Sequence, residues 1–246
     1  MQFVPFRCSI WAGMYHNDFQ WDLAVRNFER LPPDMREILG DAGMCAIGGP
    51  INESTLAAAY SRGIFPWPDR PEDPVYWFSP DPRALIEFEH LHVSRSLRRL
   101  LRRQTFDIRH NTAFERVVRL CGEIRTREGE GTWVTEELVQ GYCQLHRSGY
   151  AYSYEAWLEN RLVGGLFGVR FGHYASAESM FHLRSNASKM LLATLMQDLQ
   201  SDGLSWLDVQ VMSPVVGSFG GREVSRSEFL EKLARVFETP PLLKLI

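Results

Sequence analysis

Ala177-Glu178-Ser179-Met180-Phe181, then Asn186-Ala187-Ser188-Lys189, then Leu207-Asp208-Val209-Gln210-Val211 read in order as strand, helix and strand. In an extended strand alternate side chains share a face, so Leu207, Val209 and Val211 point one way and Asp208 and Gln210 the other. A carboxylate and an amide side by side within a sheet cost free energy unless each finds partners. Two explanations remain, a structural polar network or an active site, and we favour the second.

Outward from this stretch, residues 152–158 and 161–169 read as a hairpin turning at Glu159-Asn160, and Tyr174 to Phe181 as a third strand. Asn186 is placed as the cap of a helix ending at Gly203, and a strand over 205–211 follows. Ser225 with Glu228 opens a final helix carrying Phe229, Leu230, Leu233 and Val236 on one face. Upstream, Thr135 starts a helix ended by Gly149. Thr112 and Glu115 form a capping-box pattern for a helix running to about Cys121. Asn52 caps a helix with Ile51 and Leu56 as staple and Gly63 as stop. Pro32-Pro33-Asp34 opens a short helix, and the first thirty or so residues read as an irregular arm. The Pro-rich run Pro66 to Pro71 resembles a seam, which divides the chain into 1–70, a small N-terminal α+β domain, and 71–246. The fold class is α+β.

The chain has 246 residues, 45% hydrophobic and 23% charged, with a net charge of −3, so contact with nucleic acid needs a local basic patch. One exists: His92 to Arg103 reads as a helix whose polar side carries Arg95, Arg98, Arg99, Arg102 and Arg103. Such a face is either simply solvated or a phosphate-binding surface, because arginine forks suit phosphate oxygens. The start of the chain lacks the pattern of a secretory leader, and no apolar run approaches a membrane span. Cys8, Cys45, Cys121 and Cys143 stand apart, and the histidines lack metal spacing, so no metal is expected and a cytoplasmic, reducing compartment is.

Six segments carry a resemblance. Gly63-Ile64-Phe65-Pro66-Trp67, Phe78-Ser79-Pro80-Asp81-Pro82-Arg83, Gly131-Thr132-Trp133-Val134-Thr135, Glu178 to Phe181, Asn186 to Lys189 and Asp208 to Val211 are in register with one known family. The chain thus resembles the leucyl/phenylalanyl-tRNA–protein transferases over roughly residues 40 to 235. The resemblance implies a GNAT-like acyltransferase domain with a mixed, largely antiparallel sheet after the N-terminal domain and no cofactor; a monomer is expected. It implies transfer of Leu or Phe from aminoacyl-tRNA to the N-terminal Arg or Lys of a protein, which marks that protein for N-end rule degradation.

By the same resemblance Asp208, Gln210 and Glu178 are the catalytic residues. Gln210 would accept a hydrogen bond from the attacking amine, Asp208 would orient or polarise it, and Glu178 would pair with the cationic acceptor; the bland alternative for Glu178 is a salt bridge to a nearby arginine. Trp67, Trp133 and Tyr142 match aromatic positions around the terminal adenosine and aminoacyl group, where stacking is worth about 1–3 kcal/mol per base; core packing is the alternative. Leu166, Ala175, Met180, Leu195 and Leu207 would surround the amino-acid side chain, and Arg95, Arg98, Arg99, Arg102 and Arg103 would bind tRNA. Asn186 and Ser188 open a helix whose N-terminus suits an anion, although Asn186 is more simply an ordinary cap.

The match is imperfect at Pro50, His182, Leu183, Val209 and Val215, where the family usually has Asp, Ser, Arg, Cys and His. Ala175 stands where an aromatic occurs, which leads us to expect a roomier pocket taking phenylalanine at least as well as leucine. Three other functions compete: a GNAT-type acyl-CoA transferase, a non-catalytic RNA-binding protein, and a ligase using aminoacyl-tRNA on a different amine. The first is disfavoured because Arg184-Ser185-Asn186-Ala187-Ser188-Lys189 lacks the glycines of a pyrophosphate loop.

Overall fold

A computed structural model describes residues 40, 42–68, 73–127 and 133–238. The expected N-terminal arm, the helix opened by Pro32-Pro33 and the loop 129–132 lie outside the described residues, as do residues 69–72 of the Pro-rich seam.

The long hairpin forms because Glu159 and Asn160 both take positive φ, 50° and 59°, a two-residue turn whose twist matches that of the strands it joins. It links β6 (Ala151–Leu158) to β7 (Arg161–Phe171), which pairs on its other side with β8 (Tyr174–His182). From β8 the chain crosses over through α5 (Ala187–Ser201) to β9 (Trp206–Gln210), which lies parallel to β8. Strands β4 (Arg83–Glu87), β5 (Asp107–His110) and β10 (Arg222–Val224) complete a seven-stranded sheet in the order β10-β4-β9-β8-β7-β6-β5. Every pairing but β8 with β9 is antiparallel. The α+β class with a mixed, largely antiparallel sheet is therefore borne out.

A second, three-stranded sheet holds β1 (Met44–Ile47), β2 (Phe65–Pro66) and β3 (Tyr76–Phe78) in the order β1-β3-β2. The expected division near residue 70 falls inside this sheet, between β2 and β3.

Helices cover both faces of the large sheet because its strands alternate between two cores. Leu85, Phe167, Val169, Phe171 and Tyr174 join one core with α1 (Glu53–Ser61), α3 (Phe114–Arg127), α4 (Glu136–Arg147) and α7 (Arg226–Glu238). Ala84, Ile86, Leu166, Ala175, Leu207 and Val209 join the other, under α2 (Arg95–Arg103), α5 and α6 (Pro214–Ser218). No helix among the described residues is long and apolar enough to cross a membrane.

Helix starts obey the expected chemistry at Asn52, Thr135 and Ser225, whose side chains accept from the backbone N–H three residues on. Two differ. Helix α3 runs on to Arg127, and its start is held by Glu155 of β6, which accepts from the Thr112 hydroxyl and from the amides of Thr112 and Ala113 at 2.9 and 2.8 Å. Glu115 instead pairs with Arg119, so the capping box yields to a buried carboxylate distant in sequence. Asn186 takes φ 66° and makes no capping bond, correcting the ordinary cap expected there.

Candidate active site

Strands β8 and β9 share a single bridge, Ser176 to Asp208. Two backbone departures follow it. The β7–β8 register slips at Ala177–Glu178, so two residues of β8 answer one of β7. The slip flips the strand: Tyr174 and Phe181 both reach the first core, although they sit at odd spacing. On β9, Gln210 takes φ 56°, a left-handed conformation uncommon outside glycine and one that recurs at functional sites.

Just past the bridge a cavity of about 400 Å³ opens between the C-terminal ends of the two parallel strands. Ligands of α/β sheets favour this position. Ala177 to Met180 form one side and Val209 to Ser213 the other. Phe65, Pro66, Trp67 and Trp133 close over it, and Leu166, Leu192 and Val216 line its apolar part. Glu178 is the one charged side chain among the described residues lining it.

Glu178 and Gln210 meet in this cavity: Gln210 Nε2 donates to Glu178 Oε1 at 2.9 Å. An ionised carboxylate only accepts, so the amide must turn its NH₂ toward Glu178 and leave its own oxygen to other donors. The Ser176 hydroxyl also donates to Glu178 Oε1, and Tyr142 Oη lies 3.5 Å from Oε2. Loss of hydration in this apolar setting raises the Glu178 pKa to about 7, despite the opposing hydrogen bonds from Ser176 and Tyr60.

Asp208 is placed differently. It is fully buried and does not line the cavity, which corrects the expectation that it and Gln210 both face an opening. Arg83 grips it with two hydrogen bonds, Nε to Oδ1 at 2.9 Å and Nη2 to Oδ2 at 2.7 Å. Tyr174 Oη donates to Oδ2 at 2.8 Å, and the Gln210 backbone N–H to Oδ1 at 3.0 Å. The strand alternation holds for Leu207 and Val209, which enter the core opposite Asp208, while Val211 lies beyond the strand and is exposed.

Among the expected wall residues, Trp67, Trp133, Leu166 and Met180 line the cavity. Ala175, Leu195 and Leu207 do not: Ala175 and Leu207 are buried in the sheet core that α5 covers, and Leu195 is on the buried face of α5 itself, bordering a separate cavity near Asp198. The expected extra room for phenylalanine thus loses its basis, because Ala175 never reaches the site. Tyr142 is also sealed in, with its ring 6.5 Å from that of Trp133 and its hydroxyl 2.7 Å from Tyr60 Oη. It buttresses Trp133 and Glu178 and offers no face to a ligand.

Sequence reasoning missed Phe65, Leu192 and Val216 as wall residues and gave no role to Arg83, Tyr174 or Ser176. A signal for Arg83 was present: it ends a quoted motif and directly begins β4. Helix α2 forms as expected, capped by Ser94, with Leu97 buried. Arg95, Arg98, Arg99, Arg102 and Arg103 are all exposed, and no described carboxylate pairs with them.

The family model described as leucyl/phenylalanyl-tRNA protein transferase matches residues 85–234, and that of the N-terminal domain of the same proteins matches residues 49–81. A leucyl/phenylalanyl-tRNA–protein transferase of Anaeromyxobacter dehalogenans is 47% identical over 201 residues, covering 81% of this chain and 85% of that protein. The protein of the same description from Myxococcus xanthus is 41% identical over 212 residues, 86% of this chain and 89% of its own. Among solved structures, L-PGS from Bacillus licheniformis aligns over 74% of this chain and 62% of its own at 13% identity, with a TM-score of 0.40. An aminoglycoside acetyltransferase from an uncultured soil sample aligns over 58% of this chain and 94% of its own at 16% identity, with a TM-score of 0.36. Likenesses this slight establish no shared activity.

Proposed function

The chain belongs to the leucyl/phenylalanyl-tRNA protein transferase family and is an aminoacyltransferase, and from that premise we propose that the β8–β9 cleft moves Leu or Phe from charged tRNA to the α-amino group of a protein beginning with Arg or Lys, tagging it for N-end rule degradation. The amine nitrogen attacks the ester carbonyl. A C–N bond forms, the C–O bond to the tRNA 3′ oxygen breaks, and the proton lost by the amine ends on that oxygen.

An α-amino group has a reference pKa of about 7.7–8.0, so part of it is already nucleophilic near neutrality and positioning is the main task. The observation that carries the reading is the 2.9 Å bond from Gln210 Nε2 to Glu178, which leaves Gln210 Oε1 to accept from the incoming amine. Glu178, alone in charge on the cavity wall among the described residues, suits the cationic acceptor. The apolar part around Leu166, Met180, Leu192 and Val216 suits a Leu or Phe side chain, and Trp67, 41% exposed at the mouth, suits a stacked adenine. Asp208 acts at one remove, by holding the Gln210 backbone.

The test is incubation with labelled Leu-tRNA and Phe-tRNA and peptides beginning Arg, Lys or Ala. Label passes to the Arg and Lys peptides and not to the Ala peptide. Equal labelling of all three, or acyl transfer from coenzyme A thioesters instead, overturns the proposal.

The pKa of Glu178 adds a pH dependence with a defined sign. Protonated, Glu178 can donate to the Gln210 oxygen and occupy the acceptor needed by the amine, so the competent form is the ionised one. Activity is therefore lost as pH falls through about 7. The amine must also lose a proton, so log(kcat/KM) for the acceptor peptide falls with a slope of about two below both pKa values in the wild type and about one in Glu178→Gln. Equal slopes would remove Glu178 from the proton inventory.

The exposed arginines of α2 supply the sequence-independent hold on tRNA in this account. Exchanging Arg98, Arg99 and Arg102 for glutamine raises KM for charged tRNA, with kcat preserved. The salt dependence of binding flattens by about one unit of slope for each phosphate left without its arginine. Binding titrations over a range of salt concentrations read this directly.

A further inference from the structure

We infer that Arg83 is a positioning residue for this reaction, locking Gln210 and the Phe65–Trp67 wall of the cleft into one geometry. The inference rests on the transfer reading above. Arg83 is fully buried, and its charge is directed wholly at groups inside the protein. Its guanidinium commits Nε and Nη2 to Asp208, and Nη1 donates to the Gly63 carbonyl at 3.1 Å. Its faces lie over the rings of Phe65 and Phe229, 4.9 and 4.4 Å from their centroids.

These contacts reach both sides of the cleft. Through Asp208 Oδ1, Arg83 is two hydrogen bonds from the backbone N–H of Gln210, the residue in the left-handed conformation. Through Gly63 and Phe65 it holds the segment leading to Trp67, whose ring is 6.0 Å from that of Phe65. Gly63 itself has φ +73°, and a Cβ there would meet Phe229 at 2.5 Å, so the segment can approach α7 this closely only with glycine. Asp208, with two bonds on each oxygen, has no acceptor capacity to spare for a substrate.

A buried ion pair is weak evidence for stability, because apolar residues of similar volume often serve as well. A planar fork fixing two oxygens and a carbonyl at once is instead a geometric device, and lysine cannot reproduce it. Replacement by lysine keeps the charge and removes the geometry.

The test is Arg83→Lys and Tyr174→Phe in the transfer assay, with kcat referred to the folded fraction measured by near-ultraviolet circular dichroism. Arg83→Lys is expected to lower kcat by about tenfold or more with KM for charged tRNA changed less than about twofold, since small misplacements of reacting groups cost up to about a hundredfold. Tyr174→Phe, which removes one hydroxyl from Asp208, should lower kcat by about two- to fivefold in the same pattern. Full kcat per folded molecule in Arg83→Lys overturns the inference. If Arg83→Lys does not fold, full kcat in Tyr174→Phe overturns it, and a kcat loss there with KM unchanged supports it. An inactive wild type would overturn the transfer reading and this inference with it.

Discussion

Gln210→Ala is expected to lower kcat for aminoacyl transfer by about 10²–10³-fold, within the range for a group that positions or accepts from a reacting proton. KM for charged tRNA should stay near the wild-type value, because the tryptophans and the α2 arginines to which the proposal assigns the nucleic acid are untouched. The side chain is nearly buried and, among the described residues, bonded only to Glu178, so its removal opens a small polar gap and breaks no ion pair. Stability should change little. Single-turnover kinetics with labelled Phe-tRNA separate the two quantities. A large rise in KM with kcat intact would make Gln210 a binding residue.

Asp208→Leu is expected to fail in another way. It leaves the Arg83 guanidinium fully buried without its partner and frees the Tyr174 hydroxyl and the Gln210 N–H. Breaking one side of such a pair costs about 3–5 kcal/mol, a large part of a typical folding free energy of about 5–15 kcal/mol. For a chain of this size that corresponds to a fall in Tm of roughly 6–20 °C. Arg83→Met combined with Asp208→Leu should recover much of the stability, since apolar replacement of both partners is often neutral, but not the activity. Thermal unfolding of the two variants checks this. An Asp208→Leu protein as stable as wild type yet inactive would make Asp208 a direct participant in the chemistry.

Much of this architecture was legible in local patterns. The hairpin at Glu159-Asn160, the β8–α5–β9 crossover and the two-sided alternation of Leu207, Asp208 and Val209 follow from period and turn chemistry alone. The short strands β1, β3, β5 and β10 did not announce themselves, because three or four residues give too few repeats to show a period. The left-handed Gln210 carries no glycine or proline to mark it, and the slip at Ala177–Glu178 is marked only across the ladder, by Gly168 of β7, where a Cβ would collide with the Ser176 carbonyl. Both arise from the demands of the surrounding sheet and network. They decide which polar groups face the cavity, which is why Asp208 could be paired with Gln210 in sequence yet lie behind it in space. The burial of Ala175, Leu195 and Leu207 was likewise set by α5 and the chain around it. An apolar residue reads alike in a core and in a ligand pocket, so no pattern in these three positions separates the two.

The central claim is that the cleft between β8 and β9 holds the charged end of tRNA with its ester carbonyl facing Gln210. A crystal structure with an amide-linked, non-hydrolysable 3′-phenylalanyl-adenosine tests it most directly. The account predicts the phenyl ring among Leu166, Met180 and Leu192, the adenine against Trp67 or Trp133, and the carbonyl within reach of an amine bonded to Gln210 Oε1. Ligand density in the separate cavity beside Asp198, with the β8–β9 cleft empty, would contradict it.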